Sequence, residues 1–151
     1  MIIRKATPED ISTIDDLYKN IDPNHKSSVY FLQEFLQLPH CFMAVVVEDE
    51  TEKDPGSIVG TCCFVELLQP SLQKDAYMHD FRVRRDKQRQ GYGRAVFTAI
   101  EEEARRRGCV RIIFTSKPRR GMEEVYVRWG YEKIAAAHGD NGTNLFEKRL
   151  L

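Results

Sequence analysis

One stretch constrains this chain more than any other: "AYMHDFRVRRDKQRQGYGRAV", residues 76–96, where a strand, a glycine turn and a helix follow one another directly. Alternation predicts the strand, with Tyr77, His79, Phe81 and Val83 on one face and Met78, Asp80 and Arg82 on the other. From Gly93 to Arg107 the period becomes helical, with Val96, Phe97, Ile100 and Ala104 inward, and Gly108 ends the helix. Glu101, Glu102 and Glu103 each precede an arginine by four, a favourable i,i+4 orientation for ion pairs. Gly91 and Gly93 lie at the junction. The first turn of a helix has backbone N–H groups without internal partners and carries partial positive charge, so an anion placed there satisfies both. Two residues without side chains let the backbone approach such an anion and take φ > 0. Arg89 and Arg94 add full charge at the edge. The stretch therefore predicts a pyrophosphate cradle, against the plainer alternative of a tight strand-to-helix turn. It is neither a dinucleotide fingerprint, since Val96 stands where a third glycine is needed, nor a P-loop, since no Gly-Lys-Ser/Thr follows.

The rest of the chain reads as a frame around this unit. "IIRKA" is a short strand. Thr7, Pro8 and Asp10 start a helix, with Thr7 as N-cap, and Ile11, Ile14, Leu17, Tyr18 and Ile21 share its inner face. Ser27 or Ser28 caps a second helix through Tyr30, Phe31, Phe35 and Leu36. "CFMAVVVED" and "IVGTCCFVELL" are strands, paired antiparallel around the acidic turn "ETEKDPGS". "CVRIIFTS" is a buried fifth strand. Met122, Val125, Tyr126 and Trp129 fall at helical spacing up to Gly130, and "YEKIAAA" and "NLFEKRLL" close the chain as strands around "HGDNGT". The order β-α-α-β-β-β-α-β-α-β-β predicts an α/β fold: a mixed, mostly antiparallel sheet of about seven strands flanked by about four helices. With 151 residues and no linker or repeat, residues 1–151 are expected to form one domain.

Composition removes several function classes. Lys plus Arg and Asp plus Glu both number 23, so no net field draws the whole chain to nucleic acid. The residues from Arg82 to Arg94 are locally basic, but no array of aromatic residues accompanies them, and a nucleic-acid partner is not expected. No run approaches the ~20 apolar residues of a membrane span, and "MIIRKATPED" lacks the apolar core of a signal peptide. Cys41, Cys62, Cys63 and Cys109 have neither disulfide-framework nor metal-type spacing, and adjacent Cys62 and Cys63 point to opposite faces of a strand. These features lead us to expect reduced thiols, a cytoplasmic protein and no metal.

The longer string "FRVRRDKQRQGYGRAV" resembles motif A of the GNAT acetyltransferases: an apolar-x-apolar strand end, then Gln/Arg-x-x-Gly-x-Gly/Ala. "VYVRWGY", with Tyr126 four before Gly130, resembles the late helix of that family, and "NLFEKRL" its closing strand. The resemblance spans essentially the whole chain and implies a GNAT-like acyl-CoA N-acyltransferase fold with acetyl-CoA as co-substrate. It implies a pyrophosphate site on Gln88, Arg89, Gln90, Gly91, Tyr92, Gly93 and Arg94, and a pantetheine arm along the strand edge at Phe81, Arg82 and Val83, where the fourth and fifth strands splay apart. Ser116, at the end of the fifth strand, joins that donor site. A proline is frequent in the family at position 85, where this chain has Arg85, a departure that makes the loop's match to the family less close and adds positive charge.

The resemblance implies an N-acetyltransferase acting on a primary amine of a small molecule or peptide by direct attack. Homodimers are frequent in the family. Tyr126 matches the tyrosine that protonates the leaving thiolate, and its ring also suits a core position. A protonated amine needs a base. His79, a residue type that titrates near neutrality, is the first candidate and Asp80 the second, although alternation sends Asp80 to the opposite face. Arg119 and Arg120 suit a phosphate, an acidic acceptor or solvent; Glu66 faces the acceptor or solvent; His25, His40 and His138 read as surface histidines. The alternative function is an acyl-CoA-binding or partner-binding module without turnover.

Overall fold

The computed structural model describes residues 1–48, 56–136, 138 and 142–150; most of the acidic turn and part of "HGDNGT" lie outside these. The chain opens with β1 (Ile2–Lys5) and a single 3-10 turn at Pro8–Asp10. Asp10 accepts the Thr7 backbone N–H at 2.8 Å and two bonds from Arg4 at 2.7 and 2.9 Å, so the predicted helix start is also tied to the strand before it. Then come α1 (Ile11–Ile21) and α2 (Val29–Gln37). Asp15 of α1 accepts the Ser28 N–H at 2.7 Å and hydroxyl at 2.9 Å, so the start of α2 is held by a carboxylate of the neighbouring helix. Leu32 is the fully buried residue of α2, while Tyr30 and Phe31 face outward.

The strands β2 (Cys41–Glu48), β3 (Ser57–Gln69) and β4 (Gln73–Val83) form an antiparallel meander. The helix α3 (Tyr92–Arg106) crosses to β5 (Arg111–Ser116), which runs parallel to β4. The helix α4 (Met122–Arg128), β6 (Glu132–Ala135) and β7 (Asn144–Arg149) follow. The sheet order is β1-β2-β3-β4-β5-β7-β6, with β4–β5 the parallel pair in an otherwise antiparallel sheet. This is the predicted α/β architecture, in the predicted element order.

Each sheet face has its own core. Phe64, Met78, Phe97, Ile100, Ile112, Tyr126 and Phe146 gather under α3 and α4, and Ile14, Leu17, Leu32, Met43, Val45 and Cys63 under α1 and α2. Cys62 and Cys63 belong to opposite cores, as alternation requires, and all four cysteines are buried thiols.

Alternation fails in β4. Thr61 pairs with Arg82 and Cys63 with His79, so Asp80 and Phe81 together oppose Cys62. Asp80 has φ 52, a left-handed backbone in the middle of a strand. This is a β-bulge: an extra residue that reverses the facing of everything beyond it. Phe81 therefore packs with Met78 against the α3 core instead of sharing a face with Tyr77 and His79. Asp80 comes beside His79, with Nδ1 to Oδ2 at 3.3 Å, where simple alternation had separated them.

Among the α3 glutamates, Glu103 makes the expected pair with Arg107 at 2.7 Å. Glu101 does not face solvent: it is 3% exposed and receives Lys148 at 3.1 Å, Tyr131 at 3.2 Å and Arg94 at 3.4 Å. Lys148 also donates to the Trp129 carbonyl at 2.9 Å, tying β7 and the end of α4 to α3. The i,i+4 spacing was correct, but the inner face of α3 is wide enough to include position 101.

Candidate active site

The strands β4 and β5 pair only over Asp75–Arg111, Ala76–Ile112 and Tyr77–Ile113. Beyond that point Met78 to Val83 and Phe114 to Ser116 separate, and a wedge opens between adjacent strands of one sheet. The side of β4 facing the wedge has no β5 partner there, so it offers backbone hydrogen-bonding groups to an extended ligand, as an edge strand does. Phe81, Arg82 and Val83 lie along that edge, and the expected splay is present.

The glycine turn stands at the mouth of the wedge. Gly91 is the N-cap of α3 with φ 91, and Arg89 is also left-handed at φ 61. Such residues let successive N–H groups converge on one anion. Among the described residues no side chain caps the helix at Gly91, and a Cβ built there meets no atom within 4 Å. The surrounding turn is pinned. Gln88 donates to the Val83 carbonyl at 3.2 Å and Gln90 to the Asp86 carbonyl at 3.2 Å. Lys87 pairs with Glu48 at 2.9 Å, and Glu48 also hydrogen-bonds Tyr92.

Three positions of the loop have partners that the sequence does not show. Gly93 has a packing reason of its own: its missing side chain makes room for Phe81, whose Cζ would sit 2.9 Å from a Cβ there. Arg94 turns back along α3 toward Glu101 at 3.4 Å and stacks on Trp129 at 5.5 Å. Arg85 reaches across to α1. It donates to the Ile21 carbonyl at 2.8 Å, at the C-terminal end of α1, where carbonyls lack helical partners.

Tyr126 lies on α4 with its ring against Phe114 at 4.9 Å and Phe146 at 5.2 Å. Its position in the core is thus real. It also borders a cavity of about 200 Å³ lined by Ser116, Arg119, Arg120 and Asn144. Burial pushes its phenol above the ordinary value, while the Ser116 hydrogen bond and the Arg119 charge pull the other way. Arg119 and Arg120 thus meet Tyr126 at one cavity. Glu66 does not face the acceptor side: it pairs with Lys74 at 3.4 Å and lies 3.7 Å from Arg107, at the end of α3.

The other face of the wedge holds His79 and Asp80 beneath α1 and α2. His79 packs edge-on to Phe35 at 5.9 Å and near Tyr77 at 6.1 Å, and Tyr77 reaches Thr115 of β5 at 3.4 Å. The His79 hydrogen bond holds the Asp80 carboxyl below its usual value; burial opposes this, and the charges of His79, Arg82 and His25 add to it. Arg82 comes within 3.9 Å of Asp80. Three neighbours were missed in the sequence. Cys63 Sγ lies 3.4 Å from His79 Nδ1. The Tyr18 hydroxyl is buried without a hydrogen-bond partner among the described residues. His25, read as a surface histidine, packs on Tyr18 at 5.3 Å and reaches Ser28 at 3.3 Å. Tyr18 was legible as an inward residue of α1, but nothing local shows that its hydroxyl lands beside a bulge on β4.

A mixed sheet parted between two parallel strands, with an uncapped helix start at the opening, defines the acyl-CoA N-acyltransferase class of fold. Comparison with known proteins agrees. The profile of the acetyltransferase (GNAT) family matches residues 10–131, and the chain belongs to that family. An aminoglycoside 6'-N-acetyltransferase complexed with coenzyme A superposes with a TM-score of 0.81 at 17% identity, covering 100% of this chain and 98% of the other. The aminoglycoside 6'-N-acetyltransferase from Enterococcus faecium gives 0.80 at 17%, with the same coverage. NAA60 of Arabidopsis thaliana, in complex with a bisubstrate analogue, gives 0.79 at 15%, covering 98% of each chain. At these identities the likeness is one of fold. No protein of curated function matches the sequence.

Proposed function

We propose that this chain transfers an acetyl group from acetyl-CoA to a primary amine of a small molecule or peptide, by direct attack within a ternary complex. The observation that carries the reading is the parting of β4 from β5 beyond Tyr77–Ile113, with the open Gly91 turn at its mouth. Acetyl-CoA supplies an activated acyl thioester. In this reading the backbone N–H groups of residues 89–94 hold the diphosphate and the edge of β4 from Phe81 to Val83 holds the pantetheine arm. A strand N–H at the bulge polarises the thioester carbonyl.

Proton handling divides between the two sheet faces. An amine attacks only with its lone pair free. If Asp80 accepts a hydrogen bond from Nδ1–H of His79, the Nε2 lone pair remains to take the amine proton. On the opposite side Tyr126 supports the departing sulfur. An ordinary phenol is about 1.5 pKa units weaker as an acid than an ordinary thiol, so full transfer is uphill by about 2 kcal/mol. Hydrogen bonding to the developing sulfur anion is therefore the larger part of its role. The test is product formation from acetyl-CoA and a panel of primary amines, read by mass. Tight coenzyme A binding without acetylation of any amine would favour the non-catalytic binding module instead.

A further inference from the structure

Three potential metal ligands from two strands meet beneath α1. Cys63 on β3 is the direct register partner of His79 on β4, and the bulge turns Asp80 toward the same ring. The thiol, imidazole and carboxylate ligand atoms all lie within 4.8 Å of one another. His79 Nδ1 is central, 3.4 Å from Cys63 Sγ and 3.3 Å from Asp80 Oδ2. A tetrahedral zinc ion, with bonds of about 2.1 Å to nitrogen and oxygen and about 2.3 Å to sulfur, holds such neighbouring ligand atoms roughly 3.5 Å apart. We propose that Cys63, His79 and Asp80 form a binding site for a thiophilic divalent cation of the Zn²⁺ type, and that its occupation blocks acetyl transfer.

The ligand set selects the ion. A thiolate with an imidazole favours zinc over magnesium or calcium, which take oxygen ligands. Three protein ligands leave a fourth position open, and the Tyr18 hydroxyl, without a hydrogen-bond partner among the described residues, is buried close by in the same core as Cys63. On binding, the Cys63 sulfur exchanges its proton, released to solvent, for the metal bond. The block follows from the tautomer. Coordination uses the Nδ1 lone pair and leaves the ring proton on Nε2, the nitrogen that must be free to accept an amine proton. This second half of the proposal rests on the function proposed above; the binding half does not.

The full-length chain, stripped with chelator, is titrated with Zn²⁺ by calorimetry and with Co²⁺ by absorption. One equivalent is expected to bind, with a thiolate-to-cobalt charge-transfer band. Cys63→Ala should lose the band and weaken Zn²⁺ binding by about a hundredfold or more, whereas Cys62→Ala, altered on the opposite face, should keep both. If Cys63→Ala does not fold, His79→Gln at a partly exposed ring carries the same expectation for affinity. Absence of stoichiometric binding, a cobalt spectrum without the thiolate band, or Zn²⁺ affinity unchanged in both variants overturns the site. In the acetylation assay Zn²⁺ should suppress product formation and chelator restore it; bound zinc with undiminished turnover overturns the block. Failure to acetylate any amine would count against the proposed function and leave the binding result standing.

Discussion

Phe81 of β4 rests its ring directly against the backbone of Gly93 in α3, so close that a Cβ at position 93 would come within 2.9 Å of Phe81 Cζ. The bulge one residue earlier puts the ring there, and the same ring contacts Phe97 at 4.7 Å. The glycine turn is thereby seated on the strand that borders the wedge.

The two glycines should fail differently. Gly93→Ala overpacks the Phe81 contact and should cost about 1–3 kcal/mol in urea denaturation. Gly91→Ala meets no neighbour and should cost only the roughly 1–2 kcal/mol of a left-handed backbone. Gly91→Glu should in addition abolish coenzyme A binding by calorimetry, through bulk and like charge at the open turn.

Tyr126→Phe keeps the ring in its aromatic cluster and removes the hydroxyl. Turnover should fall by about 10²-fold while affinity for acetyl-CoA survives. Steady-state kinetics with varied donor separates the two, and unchanged turnover would discard the proposed role.

His79→Gln should lower kcat/KM by about 10²–10⁴-fold and flatten the acid side of its pH profile. Asp80→Asn should cause a smaller loss, since it removes the group that orients the ring and leaves the ring itself. Equal losses in both, with the profile intact, would place the base elsewhere.

Asp15 provides a stability test independent of catalysis. Its carboxyl is lowered to about 2: burial works against the charge, but Lys19 and the Ser28 backbone and hydroxyl prevail. A lowered folded-state pKa stabilises above the unfolded value near ~4, and this is lost as pH falls toward about 2. Asp15→Asn should therefore be less stable than wild type by about 2 kcal/mol at pH 6, with the difference shrinking between pH 4 and pH 2 in urea titrations.

Lys148→Met strips the main cation from the buried Glu101 and should cost about 3–5 kcal/mol. Adding Glu101→Leu removes the stranded charge and should restore part of the loss, which a double-mutant cycle measures.

The sequence by itself determined what depends on neighbours along the chain. Period decided the helices: Val96, Phe97, Ile100 and Ala104 are buried on α3, and Met122 to Trp129 run to their glycine stop. Sequence placed the helix start at the glycine turn, within two residues of the observed Gly91 N-cap, and allowed φ > 0 there, because tolerance of left-handed geometry is a local property of glycine. Element order then pointed to a mixed sheet, while the order of its strands, with β7 between β5 and β6, came only with the structure. The tertiary structure alone decided the facing of Asp80 and Phe81. A bulge forms from a mismatch between β3 and β4, and neither strand records it separately. It also decided that Arg94 serves Glu101, that Arg85 staples α1, and that Tyr18, Cys63 and His79 meet. Each of these contacts joins residues far apart in sequence, so it exists only once the strands are in register and α1 is packed across them.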